Sequence, residues 1–236
     1  MEHQHQEQQI ARGGVLHLLL VCSILSILLA SSLRSLANEA ALYDLAPEGS
    51  AFLRLIDLRK STTDNLSPDR LTLRIQDKRL STAAYCSASE FIYLPSGEYR
   101  EPVNGLSWKG SLEANKAYSL VVDNRSVRLL EDYRAADTRR AVLAMYNFSS
   151  FSQLDLQTDR SARPVFTAIA QGESTARPIN PFKSAFAVVN SAAADGNSLA
   201  VTDEMIFQSG VLASLFVCDG DKGVFTRWVN RLGGGQ

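Results

Sequence analysis

Acid–base chemistry near neutral pH most often runs on histidine, and this chain has three, His3, His5 and His17, all within its first 17 residues. The last of them sits in Val15–Ala30, an almost wholly apolar run behind a polar start that carries one basic residue, Arg12. That is the shape of a secretory signal, shorter than the ~20 residues that span a bilayer comfortably. Ser35 and Ala37 place small side chains where a signal peptidase reads. Cleavage is therefore expected after Ala37, with an uncleaved membrane anchor as the alternative. From Asn38 onward there is no histidine. A Ser-His-Asp triad, a Cys-His pair and a His-ligated zinc site are thereby excluded together in the expected mature chain.

The remaining chemical groups give less. Beyond the leader stand two cysteines, Cys86 and Cys218, too few for a four-cysteine metal site. In an oxidising compartment they can pair and tie the front of the chain to its end; two buried free thiols are the alternative. The carboxylates Asp44, Asp57, Asp64, Asp123, Asp195 and Asp203 fall mostly in turns and loops. None forms a recognisable acid–base pair of the glycosidase kind. Asp219-Gly220-Asp221 lacks the closing acidic residue of a calcium loop and reads as a turn. Ser149, Ser150 and Ser152 surround Phe148 and Phe151 without a Gly-x-Ser-x-Gly elbow or an activating base. No catalytic residue, metal or cofactor is expected. Glycosylation sequons occur at Asn65, Asn124 and Asn147.

Binding chemistry is a different matter. Tyr43, Tyr93, Tyr99, Trp108 and Trp228 lie near the ends of strand-like runs and could stack on sugar rings or a partner; filling small cores is the competing use. Tyr43, Tyr99, Trp108 and Trp228 are the candidates for glycan or partner contact. With 24 Lys and Arg against 25 Asp and Glu, the formal charge is −1 and no basic cluster stands out. Nucleic acid and anionic membrane surfaces have no electrostatic handle here.

The elements that must position these residues are short strands. Ala51–Asp57 is strand-like, and Leu71–Ile75 alternates cleanly between apolar and polar. Ser61–Arg70 between them is a polar loop. Glu90–Leu94 stops at Pro95-Ser96-Gly97, with Glu98–Arg100 expected as its return partner. Asn104-Gly105 is a strong hairpin signal between Glu101–Val103 and Leu106–Trp108. Tyr118–Val122 and Arg125–Leu130 follow. The second half runs through Ala141–Asn147, Leu154–Leu156, Val165–Ala170, Ser184–Asn190, Glu204–Phe207, Val211–Cys218 and Val224–Val229, the last two joined by a turn at Asp219–Gly223. Long helical periodicity is absent; Leu112–Ala117 and Glu131–Ala141 could form a turn or two at most.

The two halves resemble one another. Phe52–Leu58 lies against Val142–Phe148, and Tyr118–Val122 against Ala213–Val217, which sets Ser119 opposite Ser214. The expected fold is all-β: two tandem small antiparallel β-sandwich domains after the signal peptide. The expected bounds are 1–37 for the signal, 38–132 for the first domain, 133–140 for a short charged linker, 141–232 for the second domain and 233–236 for a tail. Leu42–Leu45 is expected along the first domain's edge, turned by Pro47-Glu48-Gly49 into the first core strand.

A family resemblance runs through most of this length. Leu42-Tyr43, Ala46-Pro47-Glu48-Gly49-Ser50 and Phe52-Leu53-Arg54 resemble the mature N-terminus of the alginate O-acetylation accessory protein F (AlgF) family. The likeness continues in Phe91…Leu94-Pro95-Ser96-Gly97-Glu98-Tyr99 and Ala117–Val122. It is thinner in Ala141–Asn147, Arg177-Pro178-Ile179-Asn180-Pro181 and Trp228-Val229-Asn230-Arg231. The resemblance implies a periplasmic, non-catalytic adaptor required for O-acetylation of an exopolysaccharide, alginate first and acetylated cellulose second. Its implied partners are a periplasmic acetyltransferase and a membrane-bound O-acyltransferase of the same pathway, with the polysaccharide itself a further candidate. A periplasmic carbohydrate-binding module and an envelope adhesin or assembly subunit are the alternatives.

Overall fold

In the computed structural model, residues 46–60, 70–133, 139–193 and 197–233 are described. Among them every helix or strand is a strand, β1 to β19. The expected edge piece Leu42–Leu45, the loop 61–69 and most of the charged linker, 134–138, lie outside the described residues.

The first half is built on β1 (Ala51–Asp57), which reads Ala-Phe-Leu-Arg-Leu-Ile-Asp and is buried at every position but Phe52. One side of it pairs antiparallel with β4 (Ser87–Ala88) and β5 (Ile92–Leu94). The gap between those two short strands is filled by Ser89, whose N–H donates to Leu55 O and whose hydroxyl accepts from Leu55 N–H. The other side pairs parallel with β8 (Ala117–Val122), Arg54 opposite Ser119, and β8 continues antiparallel into β9 (Val127–Asp132). Two hairpins cover this sheet's apolar side: β2 (Thr72–Ile75) with β3 (Lys78–Ser81), and β6 (Gly97–Val103) with β7 (Leu106–Leu112).

The second half repeats that plan. Its central strand β10 (Ala141–Phe148) pairs antiparallel with β13 (Ser174–Ile179) and parallel with β18 (Val211–Gly220), which turns into β19 (Gly223–Gly233). A second sheet runs in the order β12 (Pro164–Ala170), β11 (Gln153–Thr158), β15 (Phe186–Asn190), β16 (Ser198–Val201). A two-stranded piece joins β14 (Phe182–Ser184) to β17 (Met205–Phe207).

The repeat read in the sequence holds to the residue. Arg54 faces Ser119 across β1 and β8, and Ala144 faces Ser214 across β10 and β18. These are the positions that the sequence alignment of the two halves sets against each other.

Two expectations are corrected. The sheets are not purely antiparallel, because the central pair of each half is parallel. Alternation of apolar residues identifies a strand but not its partner's direction. The marker was burial on both faces, the usual state of parallel strands, and all six residues of β8 are buried. Nor is Glu98–Arg100 the return partner of Glu90–Leu94: β5 pairs with β1, while Glu98–Arg100 lies in β6 and pairs with β7. The turn residues Pro95-Ser96-Gly97 end one strand without folding it back.

Three groups of buried apolar side chains hold these sheets. The first centres on Leu53, Leu55, Leu73, Ile75, Trp108 and Leu120, and the second on Leu143, Met145, Leu156, Phe186, Val188 and Leu215. The third combines Ile56, Cys86 and Val121 of the first half with Val142, Tyr146, Leu212, Phe216 and Cys218 of the second. Among the described residues no ladder joins a strand of 51–132 to a strand of 141–233. The halves therefore meet through side chains.

Candidate functional site

The largest fully buried side chain is Arg54, at 0 % exposure in the middle of β1. A guanidinium without water costs several kcal/mol unless it is paired and hydrogen-bonded, and this one is met on all sides. Nη2 lies 2.6 Å from Asp132 Oδ2 and donates to Tyr146 Oη at 2.9 Å. Nε donates to Ser119 Oγ at 2.7 Å and Nη1 to Ser214 Oγ at 3.2 Å. Asp132 closes the network. It accepts from the hydroxyls of Ser119 and Tyr146 and, at 2.8 Å, from Tyr133 N–H. Phe91, Tyr146 and Phe216 place their rings 4.8, 5.4 and 5.5 Å from the guanidinium carbon.

Each member is there for a local reason. Arg54 and Ser119 share a register pair on adjacent parallel strands, Asp132 ends β9, and Ser214 occupies in β18 the place Ser119 occupies in β8. Two strand repeats thus bring two equivalent serines to one arginine. Burial drives the Tyr146 phenol well above its ordinary pKa, with the Asp132 charge adding to the rise and Arg54 opposing it. The phenol stays a neutral donor.

The cluster holds a serine, a carboxylate and a cation, yet the geometry does not activate a nucleophile. The Ser119 hydroxyl spends its proton on Asp132 and accepts from Arg54, and it is 0 % exposed. What the arrangement does chemically is bond the halves, with Arg54, Ser119 and Asp132 on one side and Tyr146 and Ser214 on the other. Further bridges follow the same seam: Tyr133 Oη donates to Ser174 O, Arg227 Nη1 to Tyr85 O, and Lys60 Nζ lies 3.7 Å from Asp219 Oδ2. Gly172, in the left-handed region at φ +78°, admits the Arg128 guanidinium so closely that a Cβ there would stand 2.9 Å from Nη1. Cys86 and Cys218 are bonded to each other across the seam, with Cα atoms 6.3 Å apart.

Two of the aromatic candidates, Tyr99 and Trp108, lie in the core rather than on a contact surface. Tyr43 lies outside the described residues. Tyr99 and Trp108 stack on each other, 9 % and 2 % exposed, in the first core. Burial raises the Tyr99 phenol's pKa, partly offset by Gln76, and its hydroxyl donates to Pro95 O. Trp228 is half-buried against Phe186 and Phe207 and donates its indole N–H to Asp203 O at 3.3 Å. Of these, Tyr99 and Trp108 are corrected from contact residues to core residues. Their alternating positions on β6 and β7 face inward, the usual fate of large aromatics in a small core. Tyr93 sits under Lys78 Nζ at 4.5 Å.

Carboxylates and serines serve turns. Asp57 holds Arg59 and Thr82, Asp123 caps Arg125 and Ser126, and Asp219 accepts from Ser150. Asp44, Asp64 and Asp195 lie outside the described residues. The sequon at Asn147 cannot serve as an acceptor, since its amide is buried and donates to Phe151 O and Ile169 O. Asn65 lies outside the described residues, while Asn124 is exposed. Among the described residues no three His, Cys, Asp or Glu side chains come together as a metal site. A groove of about 510 Å3 runs along Val165–Ala170 and Glu173–Thr175, and no acid–base pair faces into it. The large apolar side chains most exposed are Phe182, Val201 and Ile206.

Among the described residues, fold and site define an all-β protein with a dense polar constellation that is sealed from solvent and serves its architecture. The chain belongs to the AlgF family: the family model described as alginate O-acetyl transferase AlgF matches residues 25–210. It is 28 % identical over 206 residues to the alginate biosynthesis protein AlgF of Pseudomonas putida, covering 86 % of this chain and 89 % of that one. Its identity to the alginate biosynthesis protein AlgF of Azotobacter vinelandii is 28 % over 189 residues, covering 80 % of each. A solved structure of the C-terminal domain of AlgF from P. aeruginosa is similar at 22 % identity and a TM-score of 0.34, over 39 % of this chain and 99 % of that one.

Sequence reasoning missed the Arg54 cluster as a site. The signal was present in β1, where a single cation interrupts an otherwise apolar run, and in the pairing of Ser119 with Ser214 by the repeat.

Proposed function

We propose that this chain is an accessory protein of exopolysaccharide O-acetylation, with alginate as the polymer, acting in the periplasm as a non-catalytic adaptor. Membership of the AlgF family and the relatives' printed role in alginate biosynthesis support the pathway. The observation that carries the adaptor role is chemical. No histidine follows His17; the buried pair Ser119 and Asp132 is locked to Arg54 without solvent access, and the surface pairs Ser126–Asp123 and Ser150–Asp219 have no histidine to complete a relay. Among the described residues an acetyl group would meet neither an activated nucleophile nor a histidine base to free it. The apolar run Val15–Ala30 supports export. The partners on this reading are a periplasmic acetyltransferase and the membrane-bound O-acyltransferase that supplies it.

Deletion of the gene in its own host, with the acetyl content of secreted polymer read by proton NMR, tests the pathway. Acetylation is expected to fall to background and to return with the full chain; unchanged acetyl content overturns the reading. Incubating the purified full chain with p-nitrophenyl acetate and oligomannuronate tests the adaptor role. No release of nitrophenolate above buffer is expected, and a stoichiometric burst refutes it.

A further inference from the structure

We propose that the Cys86–Cys218 disulfide is a redox latch on the seam between the two halves, reached by thiol reagents only when the Arg54 cluster lets those halves part. Both cysteines are 0 % exposed, in the third buried group among Ile56, Val121, Tyr146 and Phe216. A thiolate must approach a disulfide sulfur directly to exchange with it, and in the docked arrangement both sulfurs are covered. No strand ladder crosses the seam among the described residues, so opening it breaks no sheet. It does break the hydrogen bonds from Arg54 to Tyr146 and Ser214 and from Tyr146 to Asp132. The buried cluster therefore sets how often the sulfurs become reachable.

The two cysteines are not equivalent. Cys86 lies in the turn before β4 with its backbone in the left-handed region, φ +56°, while Cys218 sits in β18, paired on one side with Phe148 and on the other with Phe225. Cys86, in a turn while Cys218 is held between two paired strands, is the sulfur assigned to meet the reagent first. In closing, the Cys86 thiolate attacks the disulfide of a protein or small-molecule thiol oxidant and expels one of its sulfurs. The Cys218 thiolate then attacks Cys86 Sγ and expels the other. Two protons and two electrons leave the chain, and the oxidant departs as a dithiol. Docking brings the Cα atoms to 6.3 Å, within bonding reach, so the bond records that the halves have met in this arrangement.

The test uses the full oxidised chain in native buffer with excess dithiothreitol, free thiols being trapped with iodoacetamide and counted by mass. The native chain is expected to reduce slowly, and Arg54→Met at least about tenfold faster, because an unpaired Asp132 weakens the seam. Ser214→Ala, which deletes one hydroxyl of the second half, should fall between them and serves where Arg54→Met does not fold. Equal rates for native chain and Ser214→Ala, or a native disulfide reduced as fast as one in a denatured chain, overturn the proposal.

Discussion

At the scale of single residues, Arg54 governs the molecule. Its charge is buried with Asp132, and every donor and acceptor of the pair that faces the seam is used. Such a pair adds little over apolar packing, but removing one partner leaves an uncompensated charge. Arg54→Met alone is therefore expected to lower stability by about 3–5 kcal/mol in urea unfolding, and Arg54→Met with Asp132→Leu to recover most of that loss. Tyrosine chemistry sets an alkaline limit. Burial, with Asp219 adding, pushes the Tyr85 phenol up to about 12, and burial raises Tyr146 well above the usual value near 10. Folded-state values above unfolded ones mean that their contribution is complete below about pH 10 and is lost as pH rises through the folded values. Urea midpoints should stay level from pH 8 to 9.5 and fall beyond it, and Tyr146→Phe should flatten part of that fall. Arg54 was visible in the sequence only as an oddity inside Phe52–Leu58. Its partners come from 65 to 160 residues away, and no local pattern announces them.

At the scale of elements, what was legible was what is local. The Asn104-Gly105 hairpin is present as read, with Asn104 at φ 51° and Gly105 at φ 75°, the two left-handed residues that such a two-residue turn demands. Gly105→Ala should cost about 1 kcal/mol, measured as a lower thermal midpoint with unchanged strand content. The turn at Asp219–Gly223 likewise joins β18 to β19. Strands β3, β4, β13 and β16 went unread, and β14 was met only at Ser184. β13 holds Pro178, which argues against a strand, yet β13 is the edge of its sheet, where proline is tolerated. Pairing direction was not legible either. Leu53 and Leu120 each look like ordinary core residues; the near-continuous apolar run of β8 hints at a parallel neighbour, but nothing in it names β1 as that neighbour. Tyr99 and Trp108 ended in the core for a related reason: an aromatic on an alternating strand looks the same whether its face is covered or open, and theirs is covered.

At the scale of the whole molecule, a repeated sheet plan and a shared seam make the described chain from Pro47 onward one compact unit. The Cys86–Cys218 bond encloses 132 residues of separation. By chain entropy alone, a loop of that size stabilises the folded state by about 5 kcal/mol. Cys86→Ser is expected to lower the thermal midpoint strongly while keeping the strand signal in far-ultraviolet circular dichroism. Calorimetry of the oxidised chain should show a single transition; two resolved transitions would mean that the halves unfold separately despite the seam. A chain built this way presents the outer surfaces of its two halves in one fixed relation, since both answer to the same arginine.

The parallel pairs carry a consequence for how the chain is made. β1 meets β8 only after some 60 intervening residues have appeared, and β10 waits in the same way for β18. A polypeptide emerging N-terminus first exposes each central strand long before its neighbour exists, and closing such distant pairs is slow. Both central strands are strongly apolar along their length. For that interval each is an adhesive ribbon with one unsatisfied edge, so the yield of folded chain should depend on the rate of synthesis and on holding chaperones more than on final stability.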